Sequence, residues 1–267
     1  MKQTEQQFEH PPLKDGLATS YMLFTELFGT FIIVYFSGLA AIQFNLGIIT
    51  LTGSAISNAF CLGIMVYAGA NISGAHYNSS VTIAQCISGH IDWYKALWYL
   101  FFQFMGSIIA GGLLTYYEKS YLPLEGLSIT LDYPHCNLQQ YTIFMCFLTE
   151  FIGTFIYIFI VYMTNINRTK PYSDIYGMAI GGGLGLSILS IGNITGSALN
   201  PWRVIGPAIV SGELFDSEYS YAYVYYIGCT LSGIAFGLLW RCLLLEKDEK
   251  VVVKEEEQNL LNDDNLD

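Results

Sequence analysis

Two short polar segments place hydrogen-bonding side chains inside an otherwise apolar chain. NISGAHYNSS occupies residues 71–80, and NITGSALNPW occupies residues 193–202. Asn78 and Asn200 stand at matching places in the two segments, and a carboxamide offers N–H donors without a titratable proton. Arg203 follows three residues after Asn200, and an unpaired cation is costly inside a membrane. These residue types can form hydrogen bonds inside an apolar chain, and Arg203 is either a functional group or a structurally paired arginine.

The chain around these segments consists largely of apolar runs. Of its 267 residues, 53% are hydrophobic and only 12% are charged. A helix of about 20 apolar residues crosses a bilayer core of roughly 30 Å. The six long runs cover 21–43, 53–70, 96–117, 141–164, 174–192 and 221–243. This pattern predicts an all-α membrane protein with six transmembrane helices.

The chain also contains an internal repeat. TELFGTF at 25–31 reappears as TEFIGTF at 149–155, an offset of 124 residues, and the two polar segments are related by an offset of 122. We therefore expect one membrane domain, residues 20–245, made of two halves, about 20–124 and 125–245. Because each half holds three spans, the second half enters the membrane in the opposite direction, which defines an inverted repeat.

A short apolar stretch follows each polar segment. Residues 79–88 and 201–211 are too short to cross a bilayer. Asn is a favoured helix N-cap, and Pro201 stands where the first helical residue would lie. We expect two re-entrant half-helices that enter from opposite faces and meet near the midplane with their N-termini. Two positive dipole ends at that point would repel cations.

The two ends of the chain are polar. Residues 1–19 form the expected N-terminal tail, and residues 246–267 form a tail with nine acids against three lysines. A segment of this composition is too polar to bury. We expect the acidic tail to be disordered and solvated, with a docking or sorting role as the alternative.

Basic residues indicate the orientation in the membrane. With six spans, nine of them fall on the side of the two termini, and only Lys119 falls on the other side. The nine are Lys2, Lys14, Lys95, Arg168, Lys170, Arg241, Lys247, Lys250 and Lys254. The positive-inside rule therefore predicts that both tails are cytoplasmic.

The six cysteines show no paired spacing, and most lie in or beside apolar runs. We interpret them as small packing residues, with no disulfide framework and no metal site. Cys136, in the loop 118–140, is the one expected to be accessible.

Taken together, these motifs make the chain similar to aquaporins, the major intrinsic protein family, over about residues 20–243. The matching pieces are the paired TExxGTF segments, SGAHYN, TGSALNP, Arg203 with GPA at 206–208, and Gln103 with Gly106. The family carries Asn-Pro-Ala at the start of each half-helix. This chain departs from it twice, with Asn78-Ser79-Ser80 and with Asn200-Pro201-Trp202.

The resemblance implies an aquaporin-like fold, with one narrow pore per subunit and a homotetrameric assembly in the lipid bilayer. It implies that Asn78 and Asn200 donate hydrogen bonds to a central water, so that protons do not pass along the file. It also places a selectivity filter at Asn58, Ile188, Ser197 and Arg203. Water-selective members usually carry an aromatic residue and a histidine at the first two positions, and glycerol facilitators carry two aromatics and a glycine. This filter matches neither, so we expect it to be wider than in a strict water channel.

Other family positions favour water over glycerol. Glycerol facilitators carry an aspartate after the filter arginine, a basic residue after Gly-Pro, and Pro-Leu in the sixth span. The corresponding residues here are Val204, Ala208 and Tyr225-Tyr226.

Four further residues have two interpretations each. By the resemblance, Glu26 and Glu150 accept backbone N–H bonds from the loops ahead of the half-helices, whereas a transporter would use such carboxylates to carry protons. His76 is either a packed, hydrogen-bonded histidine or a pH gate. Trp202 either fills the space left by the missing first-half proline ring or intrudes on the pore and narrows it.

The predicted function is a passive channel for water and small neutral solutes such as glycerol, urea or ammonia, which excludes ions and protons. A secondary transporter and a non-conducting structural protein are the alternatives. No nucleophile, metal cluster or phosphate loop is recognisable, so we expect no enzyme, no cofactor and no nucleic-acid partner. The expected location is the plasma membrane or an internal vacuolar membrane.

Overall fold

A computed structural model describes residues 15–126, 133–166, 175–212, 214 and 221–263. In these ranges the regular structure is helical. The α-helices are α1 (Asp15–Asn45), α2 (Leu51–Gly69), α3 (Ser79–Ile87), α4 (Trp93–Tyr116), α5 (Ile143–Val161), α6 (Tyr176–Thr195), α7 (Trp202–Ser211) and α8 (Ala222–Asp263). Short π-helical turns follow α4 and α5, at Tyr117–Tyr121 and Tyr162–Ile166.

Six of these helices are long and apolar enough to cross a membrane: α1, α2, α4, α5, α6 and α8. Large apolar side chains such as Phe24, Ile64 and Leu239 are exposed on their outer faces. In water such a surface would be unfavourable, whereas in lipid it costs nothing. The prediction of an all-α membrane protein with six transmembrane helices is confirmed.

Helices α3 and α7 are the two half-helices. They contain nine and ten residues, so at 1.5 Å per residue each reaches about half of a bilayer core. Each one packs mainly against a span of the other half of the repeat. Helix α3 packs against α8, and α7 packs against α4.

The other extensive helix contacts are α1 with α4, α5 with α8, and α2 with α6, which crosses between the halves. Glycines allow α2 and α6 to approach closely. A Cβ atom added to Gly181 would collide with the Ala59 carbonyl oxygen, and one added to Gly63 would lie 3.1 Å from the Gly177 carbonyl oxygen. Because lipid provides no hydrophobic driving force between helices, this close backbone contact favours the association of the two spans.

One expectation about the cysteines is wrong, because Cys136 and Cys146 form a disulfide. The chain after α4 folds back over the start of α5, which brings the two Cα atoms to 6.0 Å, within the usual range for a disulfide. A separation of ten residues with an intervening loop carries no such signal in the sequence. Cys61, Cys86, Cys229 and Cys242 are free.

The acidic tail also differs from the expected disordered segment, since α8 continues to Asp263. Residues 246–263 are rich in Glu and Lys, which favour helices, and contain neither Gly nor Pro. Residues 1–14 of the N-terminal tail, and Arg168 and Lys170 of the orientation argument, lie outside the described residues.

Candidate functional site

The first polar segment is held by one buried carboxylate. Glu26 on α1 is 0% exposed and accepts hydrogen bonds from the Ser73 hydroxyl (2.6 Å) and Gln103 Nε2 (2.7 Å). It also accepts the backbone N–H groups of His76 (3.0 Å) and Tyr77 (2.8 Å). A buried carboxylate is tolerated only when its oxygens are satisfied, and these four donors satisfy them. The loop ahead of α3 is therefore fixed to α1 and α4.

The second polar segment is held in the same way. Glu150 on α5 is 0% exposed and accepts hydrogen bonds from the Thr195 hydroxyl (2.5 Å) and the Cys229 thiol (3.5 Å). The backbone N–H groups of Ala198 and Leu199 each donate to it at 3.0 Å. The two carboxylates thus bind the same two backbone positions in each half of the repeat.

The bound loops share an unusual backbone. Ala75, Tyr77, Ser197 and Leu199 have φ angles of 52°, 50°, 54° and 53°. Non-glycine residues seldom adopt this left-handed region, and it costs about 1–3 kcal/mol for each residue. The alternation recurs at the repeat offset of 122, so the carboxylate bonds hold the same strained conformation twice.

This conformation directs the two asparagine amides at each other's loop. Asn78 Nδ2 donates to the Leu199 carbonyl at 2.9 Å, and Asn200 Nδ2 donates to the Tyr77 carbonyl at 2.9 Å. A carboxamide nitrogen carries two hydrogens, and these bonds use one of each pair. The second N–H of each asparagine remains for a molecule between the half-helices.

The asparagine oxygens cap the half-helices. Asn78 Oδ1 accepts the Ser80 N–H at 2.8 Å, and Asn200 Oδ1 accepts the Trp202 N–H at 3.1 Å. Asn200 Oδ1 also accepts the Ser79 N–H at 3.3 Å, so the starts of α3 and α7 are directly joined. Pro201 lies at the N-cap and α7 begins one residue later than expected.

Two cavities lie in line with this junction. The larger, about 580 Å³, opens on the face opposite the two termini, and we call it the vestibule. The smaller, about 20 Å³, lies where the half-helices meet, and we call it the midplane cavity. Asn78, Asn200 and His76 line the midplane cavity, and Arg203 lines both.

Arg203 lines both cavities and is fixed by the loop ahead of α7. Its side chain is 6% exposed, and Nη1 donates to the carbonyl oxygens of Ser197 (2.7 Å) and Ala198 (3.2 Å). Its Nε has no partner among the described residues. The guanidinium therefore has a fixed orientation, and Nη2, which makes no hydrogen bond within the described residues, retains donors that a passing molecule can use.

The other filter positions are placed unequally. Asn58 and Ile188 line the vestibule beside Arg203. Asn58 Nδ2 donates to the Ser54 carbonyl at 2.9 Å and its Oδ1 accepts the Ser37 hydroxyl at 2.5 Å, which fixes the amide. Ser197 lines neither cavity; it contributes its carbonyl to Arg203, and its own hydroxyl is buried without a partner.

Trp202 packs away from both cavities. Its ring lies 5.1 Å from the Phe104 ring on α4, and its carbonyl accepts the Ser107 hydroxyl. It lines neither the vestibule nor the midplane cavity, which argues against the narrowing hypothesis. Ser79 and Ser80, where the family has proline and alanine, are buried, and their hydroxyls have no partner among the described residues.

His76 is packed and hydrogen-bonded. Its Nδ1 lies 3.1 Å from the Thr82 hydroxyl, and its ring meets the Tyr99 ring edge-on at 5.2 Å. In the vestibule wall, His135 is exposed to the cavity, but partial burial lowers its pKa below the ordinary value, against a hydrogen bond with Tyr133 that raises it. A neutral His135 leaves that wall without an added cation at neutral pH.

The structure reveals a repeat in the third spans that sequence comparison missed. The Tyr99 hydroxyl donates to the Ser73 carbonyl at 2.7 Å, and the Tyr225 hydroxyl donates to the Thr195 carbonyl at 2.8 Å. The two tyrosines are 126 residues apart, the same separation as Gln103 and Cys229. This offset differs from the 122 and 124 seen elsewhere, which hides the match.

Basic residues close the far ends of the half-helices. Lys119 Nζ donates to the Ser211 carbonyl at the end of α7 at 2.7 Å, and Arg241 Nη1 donates to the Ile87 carbonyl at the end of α3 at 3.4 Å. The two residues are 122 apart. A cation at a helix C-terminus satisfies free carbonyls and complements the dipole.

Comparison with known proteins agrees with this geometry. A family model described as Major intrinsic protein matches residues 17–240. A probable aquaporin of TIP type from Medicago truncatula is 32% identical over 251 residues, which cover 91% of this chain and 92% of that protein. The glycerol uptake facilitator protein-like 6 of Lactiplantibacillus plantarum is 34% identical and covers 78% of this chain and 91% of its own. The X-ray structure of the aquaglyceroporin from Plasmodium falciparum superposes with a TM-score of 0.71 at 20% identity, over 85% of this chain and 99% of that one.

Proposed function

The chain belongs to the major intrinsic protein family, whose members are passive channels, and on that premise we propose that it conducts water across a membrane. One observation carries the proposal. Two asparagine amides, each with an unused N–H, line a cavity of about 20 Å³ at the junction of two half-helices. A polar cavity of this size holds about one water molecule.

The same geometry supports the exclusion of protons and cations. Two donors that point at one water oxygen leave its hydrogens directed outward, so a proton cannot be relayed through it. The N-termini of α3 and α7 and the Arg203 guanidinium add positive potential at the same place. We propose that these groups, and no gate, exclude ions.

The vestibule supports the entry of small neutral solutes. Its volume of about 580 Å³ and its polar lining residues, which include Asn58, His135 and Asn137, suit hydroxyl and amide groups. Glycerol, urea and ammonia are therefore the solutes to test beside water.

Stopped-flow light scattering on proteoliposomes tests the proposal. We expect the wild type to raise water permeability well above that of empty vesicles, without saturation and without response to a pH or sodium gradient. Arg203→Ala should raise permeability to urea and to cations relative to water, whereas Arg203→Lys should still exclude cations. A wild type that conducts none of the tested molecules would overturn the channel proposal, and saturable, gradient-dependent flux would establish a transporter.

We further propose that both termini are cytoplasmic. The Cys136–Cys146 disulfide lies on the face opposite the termini, and disulfides persist where the environment is oxidising. When the protein is in the plasma membrane, protease added to intact cells should leave the acidic tail uncut, and cleavage there would show that the tail faces the outside. We propose a homotetramer in the plasma membrane or an internal vacuolar membrane, which cross-linking and fractionation can test.

A further inference from the structure

The midplane cavity is much smaller than the vestibule that holds most of the filter. Three of the four filter positions line the vestibule, whose volume is about 580 Å³, whereas the midplane cavity measures about 20 Å³. The latter has room for about one water. Glycerol has six non-hydrogen atoms and urea has four. A solute larger than one water therefore fits the vestibule but exceeds the midplane cavity.

The membrane spans contribute four side chains to the wall of the midplane cavity: Ile33, Leu62, Tyr157 and Leu184. They are two pairs related by the repeat. Leu62 and Leu184 are separated by the offset of 122, and Ile33 and Tyr157 by the offset of 124 that relates the first spans. One pair is identical, and the other places an aliphatic side chain opposite an aromatic one. Among the side chains that the spans contribute, Tyr157 is therefore the one that departs from the symmetry of the repeat.

Tyr157 is buried but lacks the hydrogen bond that a buried tyrosine normally has. It is 4% exposed, and its hydroxyl has no hydrogen-bond partner among the described residues. Buried hydroxyls nearly always have a partner, either protein or ordered water. Three other large tyrosines of this fold, Tyr77, Tyr99 and Tyr225, do bond to backbone carbonyls. A water in the adjoining cavity would supply the missing partner.

We propose that Tyr157 sets the size limit of the permeant, and that its hydroxyl bonds the water held by Asn78 and Asn200. This inference rests on the proposed channel function and narrows it to water. The ring fills space that an isoleucine leaves open, so a solute with several heavy atoms is stopped. The hydroxyl partly replaces hydrogen bonds that water loses on leaving bulk solvent.

Three forms of the chain separate the ring from the hydroxyl. Tyr157→Ile installs the residue that the fold already accommodates at the matching position, Ile33. Tyr157→Phe keeps the ring and removes the hydroxyl. Phe159→Ile is the matched control, because it makes the same aromatic-to-isoleucine change on α5 at a side chain that is 46% exposed and lines neither cavity. Water, urea and glycerol permeabilities are measured in proteoliposomes at equal protein density.

The wild type should conduct water and exclude urea and glycerol. Tyr157→Ile should raise the ratio of glycerol to water permeability by about tenfold, equivalent to about 1.4 kcal/mol of barrier. Tyr157→Phe should still exclude glycerol while its water permeability falls by a few fold. Phe159→Ile should leave the ratio unchanged.

Two results would overturn this inference alone. One is a wild type that conducts glycerol at a rate comparable with water, and this result requires no variant. The other is a water-conducting Tyr157→Ile that excludes glycerol as the wild type does. A wild type that conducts no water at all would instead overturn the proposed channel function, and this inference with it.

Discussion

At the scale of single residues, Glu26 and Glu150 have matching positions but different third-span partners. Glu26 bonds Gln103 Nε2 at 2.7 Å, whereas Glu150 bonds the Cys229 thiol at 3.5 Å. A thiol is a weak donor, so Glu150 depends more on its backbone donors. Replacement of the carboxylate should therefore disturb the loop that orients Arg203 more than it disturbs the first polar loop.

The first prediction concerns Glu150→Gln. A glutamine has one acceptor oxygen, so its NH₂ group must face one of the N–H donors of Ala198 or Leu199. Leaving a buried donor unpaired costs about 1–3 kcal/mol. We expect a lower thermal midpoint of the detergent-solubilised protein, measured by size-exclusion chromatography after heating. Asp92→Asn is the control, because this exposed carboxylate makes no side-chain cap bond at the start of α4. Equal midpoints for both variants would contradict the prediction.

Sequence alone could identify the residues that lie in or beside the internal repeat. The asparagines, the two carboxylates and Arg203 stand in or beside recognisable repeats, so their positions could be predicted. Tyr157 could not, because its partner in the repeat is Ile33 and nothing in either segment marks a pore wall. The vestibule side chain of Ser37 was likewise missed, since a lone serine in an apolar span has no distinguishing pattern.

At the scale of helices, close packing between α2 and α6 depends on glycine. Gly181 sits against the Ala59 carbonyl, whereas a Cβ atom on its neighbour Gly182 would have nothing within 4 Å. The two adjacent positions therefore differ in environment while sharing helix propensity.

The second prediction follows from this difference. Gly181→Leu should prevent α2 and α6 from approaching, and the protein should aggregate or fail to elute as a single species in fluorescence-detected chromatography. Gly182→Leu should elute as the wild type does. If both variants behave alike, close approach at Gly181 is not required for folding.

The third prediction concerns the disulfide at the start of α5. A crosslink that closes a loop of about ten residues stabilises by about 2–3 kcal/mol in the chain-entropy account. Dithiothreitol should therefore lower the thermal midpoint of the wild type. It should not change that of the Cys136→Ser/Cys146→Ser protein, and Cys242→Ser should respond as the wild type does. If dithiothreitol leaves the thermal midpoint of the wild type unchanged, the disulfide does not stabilise the fold.

The helices themselves were predictable because lipid imposes a length and a composition on each span. The run 21–43 lies within α1, and the run 96–117 lies within α4 except for its last residue. The disulfide was not predictable, since it depends on how the loop 118–140 folds over α5. The continuation of α8 was missed because the charge of the tail suggested disorder, whereas its local helix propensity favours a helix.

At the scale of the whole molecule, charge and apolar surface are separated. The spans carry exposed apolar side chains, and the residues beyond Leu245 carry nine acids against three lysines. This part of α8 is too charged to enter a bilayer and extends the sixth span into water. Its contribution to the pore should be small.

The fourth prediction is that truncation after Leu245 leaves the channel intact. The six spans, both half-helices and all residues of the two cavities precede that point. Water permeability per protein and the thermal midpoint should equal those of the full chain. A clear change in permeability would indicate that the tail regulates the pore, and loss of surface delivery in cells would favour a sorting role.

The interlocking of the two halves has a consequence for biosynthesis. Asn78 and Arg241 attach α3 to groups of the second half, and Asn200 and Lys119 attach α7 to groups of the first. When the ribosome has finished α4 at Tyr116, the nascent α3 still lacks the partners for both of its ends, because Leu199 and Arg241 follow 83 and 125 residues later. The first polar loop therefore cannot make its final contacts while only the first half has been inserted. The pore is completed only after the second half has been inserted.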